Sequence, residues 1–230
     1  MLYSPPSIMI STALSLLFSL GAARPGCAAT LSEAYAAAQL QLRQSALTAL
    51  KSGELQSPIR GNPNAPITLL EFGDFDCPYT AQEYPVVQKL LQKHPKDVRF
   101  VYVDYSLIPN HPQAMPAARH WAAVRSLAPA KTWEYFDGIF QGKLAGKLGD
   151  AYYDELSRRQ ELSPAVIDAD LDSPTVTMII DADNGEFDRL GVNVVPTFFL
   201  NGVLAEEGPA TLEKLDSDIA KLESKRFSSF

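Results

Sequence analysis

The stretch from residue 67 to residue 103 constrains the fold more than any other part of the sequence. Residues 67–72 form a short apolar run without a helix breaker, which predicts a buried strand. Residues 77–93 then carry apolar side chains at helical spacing, and Pro78 stands in the first turn, where its missing N–H costs little. Residues 98–103 alternate as a second strand. A strand, a helix and a strand of these lengths predict a βαβ unit with parallel strands.

A second strand region and a long helical block complete the pattern. Helices are predicted between the two strand regions, over residues 114–130, 131–140, 151–159, 164–171 and 175–190. The strand pattern returns over 192–200, Asn201-Gly202 is a strong hairpin-turn signal, and 203–205 is the partner strand. A final helix is predicted over 209–225. The order β-α-β, helices, β-β-α predicts an α/β fold, a mixed sheet with an all-helical insertion at about 110–190.

The first 29 residues differ in character from the rest. Residues 8–20 are apolar and short for a membrane span, which is typical of the hydrophobic region of a signal peptide. Small residues follow, so we expect cleavage after Ala29 or after Ala23. Residues 1–7 contain no Lys or Arg, which leaves an uncleaved membrane anchor as the alternative. The expected location is therefore the bacterial periplasm or an equivalent extracytoplasmic space, with membrane attachment only through this segment.

Residues 30–57 are predicted to form a helical extension and a linker. The stretch 30–52 is rich in Ala and Leu, and Glu33 stands three residues after Thr30, as in a helix capping box. The prolines within 57–66 indicate a linker. We therefore expect the main domain over residues 58–230.

Charge and composition exclude some classes of partner. The formal net charge is −7 and no run of Lys or Arg is present, so nucleic acid is not an expected partner. The three histidines are scattered, without Cys or carboxylates at metal-ligand spacing, so we expect solvated or capping histidines and neither metal nor cofactor.

Asp74 and Asp76 flank a predicted helix start and are expected to cap it or favour its dipole. Trp133, Phe136 and Phe140 share a helical face and are expected in the core of the insertion.

If the leader is cleaved after Ala29, Cys27 is removed with it and Cys77 is the only cysteine that remains. A single cysteine cannot form an internal disulfide, so in an oxidising compartment it indicates a reactive thiol or pairing between chains. A buried, inert cysteine is the alternative. Cys77 follows a strand and begins a helix, where unpaired N–H groups and the helix dipole stabilise a thiolate. This placement favours a reactive thiol.

Two segments resemble the DsbA-like thioredoxin-fold family. Residues 61–79, GNPNAPITLLEFGDFDCPY, resemble the segment that leads into the family's active site, and residues 191–202, GVNVVPTFFLNG, resemble its second motif. His111-Pro112, followed by an Ala-rich helix, fits the start of the family's helical insertion. The resemblance covers residues 61–225 and implies a thioredoxin-like mixed sheet, here preceded by the predicted N-terminal helix.

The resemblance also implies roles for individual residues. Cys77 matches the attacking cysteine, Pro196 matches the cis-proline beside it, and Val195 would offer its backbone to a substrate chain. Glu71 matches a buried acid proposed to help proton transfer, although a strand-end carboxylate facing solvent is the alternative. The dipeptide Pro78-Tyr79 matches the variable pair that tunes redox potential, and it is expected to border the substrate.

Thr80 is where this chain departs from the family, because it stands at the position of the second cysteine. Cys-Pro-Tyr-Thr cannot close an active-site disulfide, so release of a mixed disulfide needs an outside thiol, such as glutathione or a partner protein. The Thr80 hydroxyl is expected to donate to the Cys77 thiolate. The sequence thus predicts an exported oxidoreductase that acts through one thiol on protein or glutathione mixed disulfides. The alternatives are a catalytically lapsed peptide-binding or chaperone-like module and a dimer linked through Cys77.

Overall fold

The computed structural model describes residues 57–107 and 109–227, together with Glu33 and Ala37. The chain divides into two units, residues 1–38 and 39–230. In the first unit Glu33 and Ala37 are helical and exposed. The predicted signal peptide over 1–29, and all of the predicted extension over 30–57 except Glu33, Ala37 and Ser57, lie outside the described residues. The fold described below belongs to the second unit.

In the described part of the chain, five strands form one mixed sheet in the order β1-β3-β2-β4-β5. The strands are β1 (Ile59–Gly61), β2 (Ile67–Gly73), β3 (Val98–Asp104), β4 (Thr197–Leu200) and β5 (Val203–Glu207). β2 and β3 are parallel, as predicted, and the other neighbouring strands are antiparallel.

The edge strand β1 corrects the prediction of a linker over residues 57–66. Two contacts from the helical insertion hold this segment against the sheet. The Trp133 indole N–H donates to the Ile59 carbonyl at 3.0 Å, and the Arg60 guanidinium binds both carboxylate oxygens of Asp137 at 2.5 and 2.7 Å. These partners lie more than 70 residues away, so the local sequence gives no sign of them.

The described helices occupy the predicted regions with shifted ends. They are α1 (Pro78–Lys93), α2 (Ala114–Leu127), α3 (Thr132–Leu144), α4 (Asp150–Arg159), α5 (Pro164–Asp170), α6 (Pro174–Arg189) and α7 (Leu212–Phe227). The helix predicted to reach residue 130 ends at Leu127, and a short 3-10 turn over Pro129–Lys131 precedes α3. Ala128 has φ −142° and ψ 64°, because the residue before a proline is disfavoured in the helical region.

The predicted strand over 192–200 is wrong in its first half, since only Thr197–Leu200 joins the sheet. The Val192 N–H instead donates to the Phe187 carbonyl at the end of α6, at 3.2 Å. The Val194 carbonyl accepts the Thr197 hydroxyl at 2.7 Å. Pro196 has no N–H to give to a strand ladder. Residues 192–196 therefore form a loop that leads into β4.

Apolar side chains cover both faces of the sheet, because successive residues of each strand point to opposite sides. One face carries the aromatic cluster, which we define as Phe75, Tyr102, Trp121, Phe136 and Phe140 within a larger core. The other face carries the Cys77 cluster, which consists of Leu70, Phe72, Cys77, Val101, Val103, Phe187, Leu190, Val192, Val195 and Phe199. Exposed residues adjoin the Cys77 cluster, and the candidate site lies there.

Candidate active site

Cys77 is the N-cap residue of α1, with φ −69° and ψ 125°, and Pro78 is the first residue of the helix. The Cys77 N–H donates to the Asp74 carbonyl at 3.1 Å, which closes a turn directly before the helix. The thiol is free, and the residue is 3% exposed. The sulfur therefore lies at the N-terminal end of a 16-residue helix, where the unpaired amides and the dipole favour a negative charge.

The loop before β4 lies against the sulfur. The Val195–Pro196 peptide bond is cis, and the Cys77 Sγ lies 3.9 Å from the Val195 carbonyl oxygen. Both Val195 and Pro196 are buried, whereas the preceding Val194 is 40% exposed. The structure thus brings together three residues that sequence reasoning assigned to the site, although 118 positions separate Cys77 from Val195.

The first turn of α1 has an exposed side and a buried side. Pro78 and Tyr79 are exposed, and Tyr79 is 54% exposed. Thr80 is fully buried, and its hydroxyl accepts a hydrogen bond from the Asp74 N–H at 3.4 Å. Among the described residues, Thr80 makes no hydrogen bond to the Cys77 sulfur, and the contact with Asp74 uses the oxygen of the hydroxyl as acceptor and leaves its hydrogen unused. Thr80 thus supports the turn that carries Cys77, and Pro78 and Tyr79 form its accessible rim.

Asp74 does not cap the helix as expected, since Cys77 is the N-cap residue and no side chain caps α1. Its carboxylate is fully buried and accepts from the Asp76 N–H at 2.7 Å and from the Leu107 N–H at 2.8 Å. The His111 Nδ1 lies 2.8 Å from the same carboxylate. Since Leu107 and His111 belong to the segment between β3 and α2, Asp74 joins that segment to the turn before Cys77.

Asp76 makes a second connection of the same kind. One carboxylate oxygen accepts from the Gln113 N–H at 2.8 Å, and the other accepts from the Lys143 ammonium group on α3 at 2.6 Å. The Lys143 charge therefore compensates a carboxylate that would otherwise stand uncompensated one residue before Cys77. Sequence reasoning missed Lys143, which lies 67 residues away and has no distinguishing local pattern.

Glu71 is buried on β2, so the solvent-facing alternative is wrong. Its position is opposite Tyr102 in the parallel register with β3. Burial, and to a smaller extent repulsion from Glu83 on α1, raise the pKa of Glu71 well above its usual range. Burial also raises the pKa of Glu83 to about 7, against a hydrogen bond from the Ala210 N–H that lowers it. Two buried acids therefore lie on the aromatic side of the sheet, and Glu83 was not anticipated.

The three histidines have different partners and do not form a cluster among the described residues. His111 contacts Asp74, and His94 lies 2.8 Å from the Asp216 carboxylate. His120 is buried and stacks on Tyr153, which corrects the expectation of a solvated or capping residue. Over residues 57–107 and 109–227, no group of three or more His, Cys, Asp or Glu side chains is placed to hold a metal ion.

Comparison with curated proteins gives relatives much longer than this chain. A sodium/proton antiporter, NhaA 3 of Salinispora tropica, is 32% identical over 169 residues, which is 70% of this chain and 24% of that protein. NhaA 1 of Mycolicibacterium gilvum is 27% identical over 144 residues, 63% of this chain and 23% of the relative. The chain thus spans about a quarter of the length of these relatives. None of the helices described here is long and apolar enough to cross a membrane.

Solved structures share the fold. The thiol-disulfide exchange protein alpha-DsbA2 of Wolbachia pipientis has a TM-score of 0.67 at 17% identity, covering 80% of this chain and 98% of its own. A thioredoxin-like oxidoreductase from Silicibacter pomeroyi has a TM-score of 0.62 at 26% identity, covering 74% and 92%. Oxidised BdbD of Bacillus subtilis has a TM-score of 0.61 at 21% identity, covering 72% and 91%.

A family profile agrees with these likenesses over most of the chain. The profile described as thioredoxin matches residues 54–221, which include every strand and the Cys77 turn. The predicted fold class, an α/β thioredoxin-like mixed sheet interrupted by helices, is confirmed. The chain therefore belongs to the thioredoxin family, and its fold is that of the DsbA-like thiol-disulfide oxidoreductases.

Proposed function

We propose that this protein is a thiol-disulfide oxidoreductase that acts through one nucleophilic sulfur, that of Cys77, on mixed disulfides of proteins or glutathione. One observation carries the proposal: Cys77 caps α1 beside the Val195 carbonyl, while Thr80 occupies the position of a second thiol. The first feature favours an attacking thiolate. The second removes the internal thiol that would otherwise resolve the adduct.

The reaction has two balanced exchanges. In the first, the Cys77 thiolate attacks one sulfur of a disulfide R–S–S–R′, a Cys77–S–S–R bond forms, and R′–S⁻ leaves and takes a proton from solvent. In the second, an external thiolate R″–S⁻ attacks the adduct, R–S–S–R″ is released, and the Cys77 thiolate is regenerated. No net oxidant is consumed, since each disulfide bond that breaks is replaced by another.

The rim of the site suits an extended peptide. Tyr79 lies two residues after Cys77 on α1, and Val194 directly precedes Val195 on the loop before β4. Both are exposed hydrophobic side chains. We assign Pro78, Tyr79, Val195 and Pro196 to substrate binding, with Val195 offering its backbone. Cys77 is the nucleophile, Thr80 supports its turn, and the buried acid Glu71 stores a proton beneath the site.

Trapping tests this proposal directly. The purified, reduced protein is mixed with a glutathionylated peptide, and the adduct on Cys77 is followed by intact mass. We expect a mixed disulfide that persists until reduced glutathione is added. The Thr80→Cys variant, which supplies a second thiol in the same turn, should discharge the adduct unaided. Thr80→Ser is the matched control and should retain it.

Two results would overturn the proposal. The first is that iodoacetamide alkylates Cys77 no faster in the folded protein than in the protein unfolded by urea. The other is undiminished exchange by Cys77→Ser. If Cys77→Ser binds the peptide as tightly as the parent while the parent shows no exchange, the protein is instead a peptide-binding module. That second candidate is favoured by the loss of the resolving cysteine and by the low exposure of the sulfur.

We also propose that the protein is exported and that residues 1–29 are removed. The support is the apolar run over 8–20 followed by small residues up to Ala29. N-terminal sequencing of the protein recovered from the periplasm of a bacterial host should begin at Thr30 or, for the earlier cleavage site, at Arg24. An intact Met1 in the membrane fraction would establish the anchored alternative.

A further inference from the structure

A cavity of about 310 Å³ opens among the helices of the insertion. Its walls are His120 on α2, Asp150 and Asp154 on α4, Asp168 on α5, and Leu171 directly after α5. None of these five residues takes part in the Cys77 site. The cavity thus combines three carboxylates with one imidazole and one apolar side chain.

The carboxylates of this cavity are poorly compensated. Asp150 and Asp154 are four residues apart on α4, and like charges at that spacing repel each other. Asp154 is paired with Arg158 at 2.8 Å. Asp150 and Asp168 form no ion pair with any residue in the described ranges 57–107 and 109–227. Both residues are exposed, so two solvated negative charges without an ion-pair partner in these ranges border the recess.

His120 supplies an independent observation. The residue is 5% exposed, stacks on Tyr153 with ring centroids 4.3 Å apart, and places Nδ1 3.5 Å from the Tyr135 hydroxyl. The same hydroxyl lies 3.5 Å from the Tyr153 carbonyl, which can only accept. The Ser157 Oγ lies closer to this hydroxyl, at 3.2 Å, and either atom can be the donor. When the Tyr135 hydroxyl donates to the Tyr153 carbonyl, it accepts from Ser157 and from the Nδ1–H of His120. Nε2 is then an acceptor, and it has no hydrogen-bond partner among the described residues.

The charge state of the imidazole fits this picture. Burial lowers the pKa of His120, outweighing the opposite effect of Asp168, Asp150 and Asp154. A neutral imidazole keeps its free lone pair. The polar wall of the cavity therefore consists of acceptors, namely carboxylate oxygens and one imidazole nitrogen, and it calls for a ligand that donates hydrogen bonds and carries positive charge.

We propose that this cavity binds a small aliphatic diamine, with one ammonium group toward Asp150 and the other toward Asp168. Each ammonium group donates three hydrogen bonds, and Leu171 offers an apolar contact to the methylene chain. The volume corresponds to about ten water molecules, more than a bare metal ion with ligands at ~2.0–2.6 Å would fill. Two uncompensated carboxylates match the two charges of a diamine.

A purely structural role explains only part of the cluster. Asp150 lies in the first turn of α4, where an acid stabilises the helix dipole. That role does not extend to Asp168, which lies in the last turn of the seven-residue helix α5, where an acid opposes the helix dipole, nor to the free acceptor of His120. A bound dication accounts for all three.

Calorimetric titration with putrescine, at neutral pH and low salt, tests the proposal on the reduced full chain. We expect one molecule bound per chain. Asp150→Asn and Asp168→Asn should each weaken binding at least about tenfold, because each removes one ion pair. Asp154→Asn should weaken it less, since Arg158 already pairs with that carboxylate. Asp181→Asn, an exposed acid on α6, is the matched control and should bind as the parent does.

The ligands themselves provide a second comparison. n-Butylamine has the same chain with one charge and should bind at least about tenfold more weakly than putrescine. The absence of putrescine binding, or equal binding by Asp168→Asn and Asp181→Asn, would overturn the proposal. So would tighter binding of Ca²⁺ or of a lysine-containing peptide, which would assign the cavity to a metal or to a protein partner. None of these outcomes depends on Cys77.

Discussion

The two apolar faces of the sheet are built differently. Every member of the aromatic cluster is at most 2% exposed, and Phe75 lies 5.2–5.6 Å from the rings of Tyr102, Trp121, Phe136 and Phe140. The Cys77 cluster is also buried, but exposed residues adjoin it on two elements, Tyr79 on α1 and Val194 before β4. One face is closed by rings from β3, α2, α3 and the turn before α1, whereas the other ends at the Cys77 sulfur, which we propose as the nucleophile.

This contrast separates stability from reactivity. Phe75 and Cys77 are two residues apart, yet Phe75 belongs to one cluster and Cys77 to the other. The turn between β2 and α1 therefore connects a rigid core to the site, and it is held by the buried carboxylate of Asp74. We expect changes in the aromatic cluster to alter mainly the free energy of unfolding, and changes in the turn to alter both stability and the reaction of Cys77.

The largest expected effect is that of Phe136→Ala. Its ring contacts four others in the cluster, and the cavity left behind should lower the free energy of unfolding by about 3–5 kcal/mol. Urea denaturation measures this change. Val166→Ala, at a 56% exposed position, should cost under about 0.5 kcal/mol. If Cys77→Ala cost as much as Phe136→Ala, the two clusters would not differ as we describe.

Asp74→Asn should come next, at about 2–3 kcal/mol, because an amide group replaces an oxygen that accepts from buried donors. The loosened turn should also raise the rate at which iodoacetamide alkylates Cys77. Asp97→Asn, an exposed acid in the turn before β3, is the control for both measurements. Unchanged alkylation together with lost stability would show that Asp74 supports the core but not the site.

Gly73→Ala tests the junction of the two regions. A Cβ at this position would lie 2.6 Å from the Tyr102 ring and 2.7 Å from the Thr80 methyl group. Both side chains are buried and both must shift to admit the Cβ, at a cost of about 1–3 kcal/mol. We therefore expect thermal unfolding at a lower temperature and a changed alkylation rate. An unchanged rate would mean that the first turn of α1 tolerates the shift.

The smallest expected effect is a pH dependence of stability. The pKa of Glu83 is raised from 4.5 to about 7 in the fold, so the folded protein holds a proton that the unfolded chain releases above pH 4.5. The free energy of unfolding should therefore fall as the pH rises through this window. The full shift corresponds to about 3 kcal/mol, and solvent screening of this group reduces the expected change to about 1 kcal/mol. Glu71 acts in the same direction.

Glu83→Gln should flatten this dependence, as measured by urea denaturation across the window. Glu134→Gln, at an exposed position on α3, is the matched control and should follow the parent protein. Equal slopes for Glu83→Gln and the parent would contradict the assignment.

Much of the site could be predicted from residues close together in the sequence. The switch from strand to helix at Cys77, with Pro78 in the first turn, placed the sulfur at a helix start, as found. Glu71 and the Val195-Pro196 pair were identified through motifs. Lys143 and Glu83 were not, because their importance comes from a partner on another element and not from their own neighbours.

The sequence by itself determined the local elements and their order. A continuous apolar run specified β2 and an alternating pattern specified β3, and Asn201 and Gly202 specified the hairpin turn, where their φ values are 47° and 83°. These outcomes depend on backbone preferences and on the spacing of apolar side chains, which act within a few residues.

Only the tertiary structure decided which charged groups became buried and what compensates them. Asp74 and Asp76 have the sequence context of helix caps, yet apart from the Asp76 N–H their partners lie 33 to 67 residues further along. A buried carboxylate needs donors wherever the fold can supply them, because leaving it unpaired is costly. Hydrogen-bond partners that come from distant segments cannot be identified from local sequence, whereas the position of Cys77 at the start of a helix can.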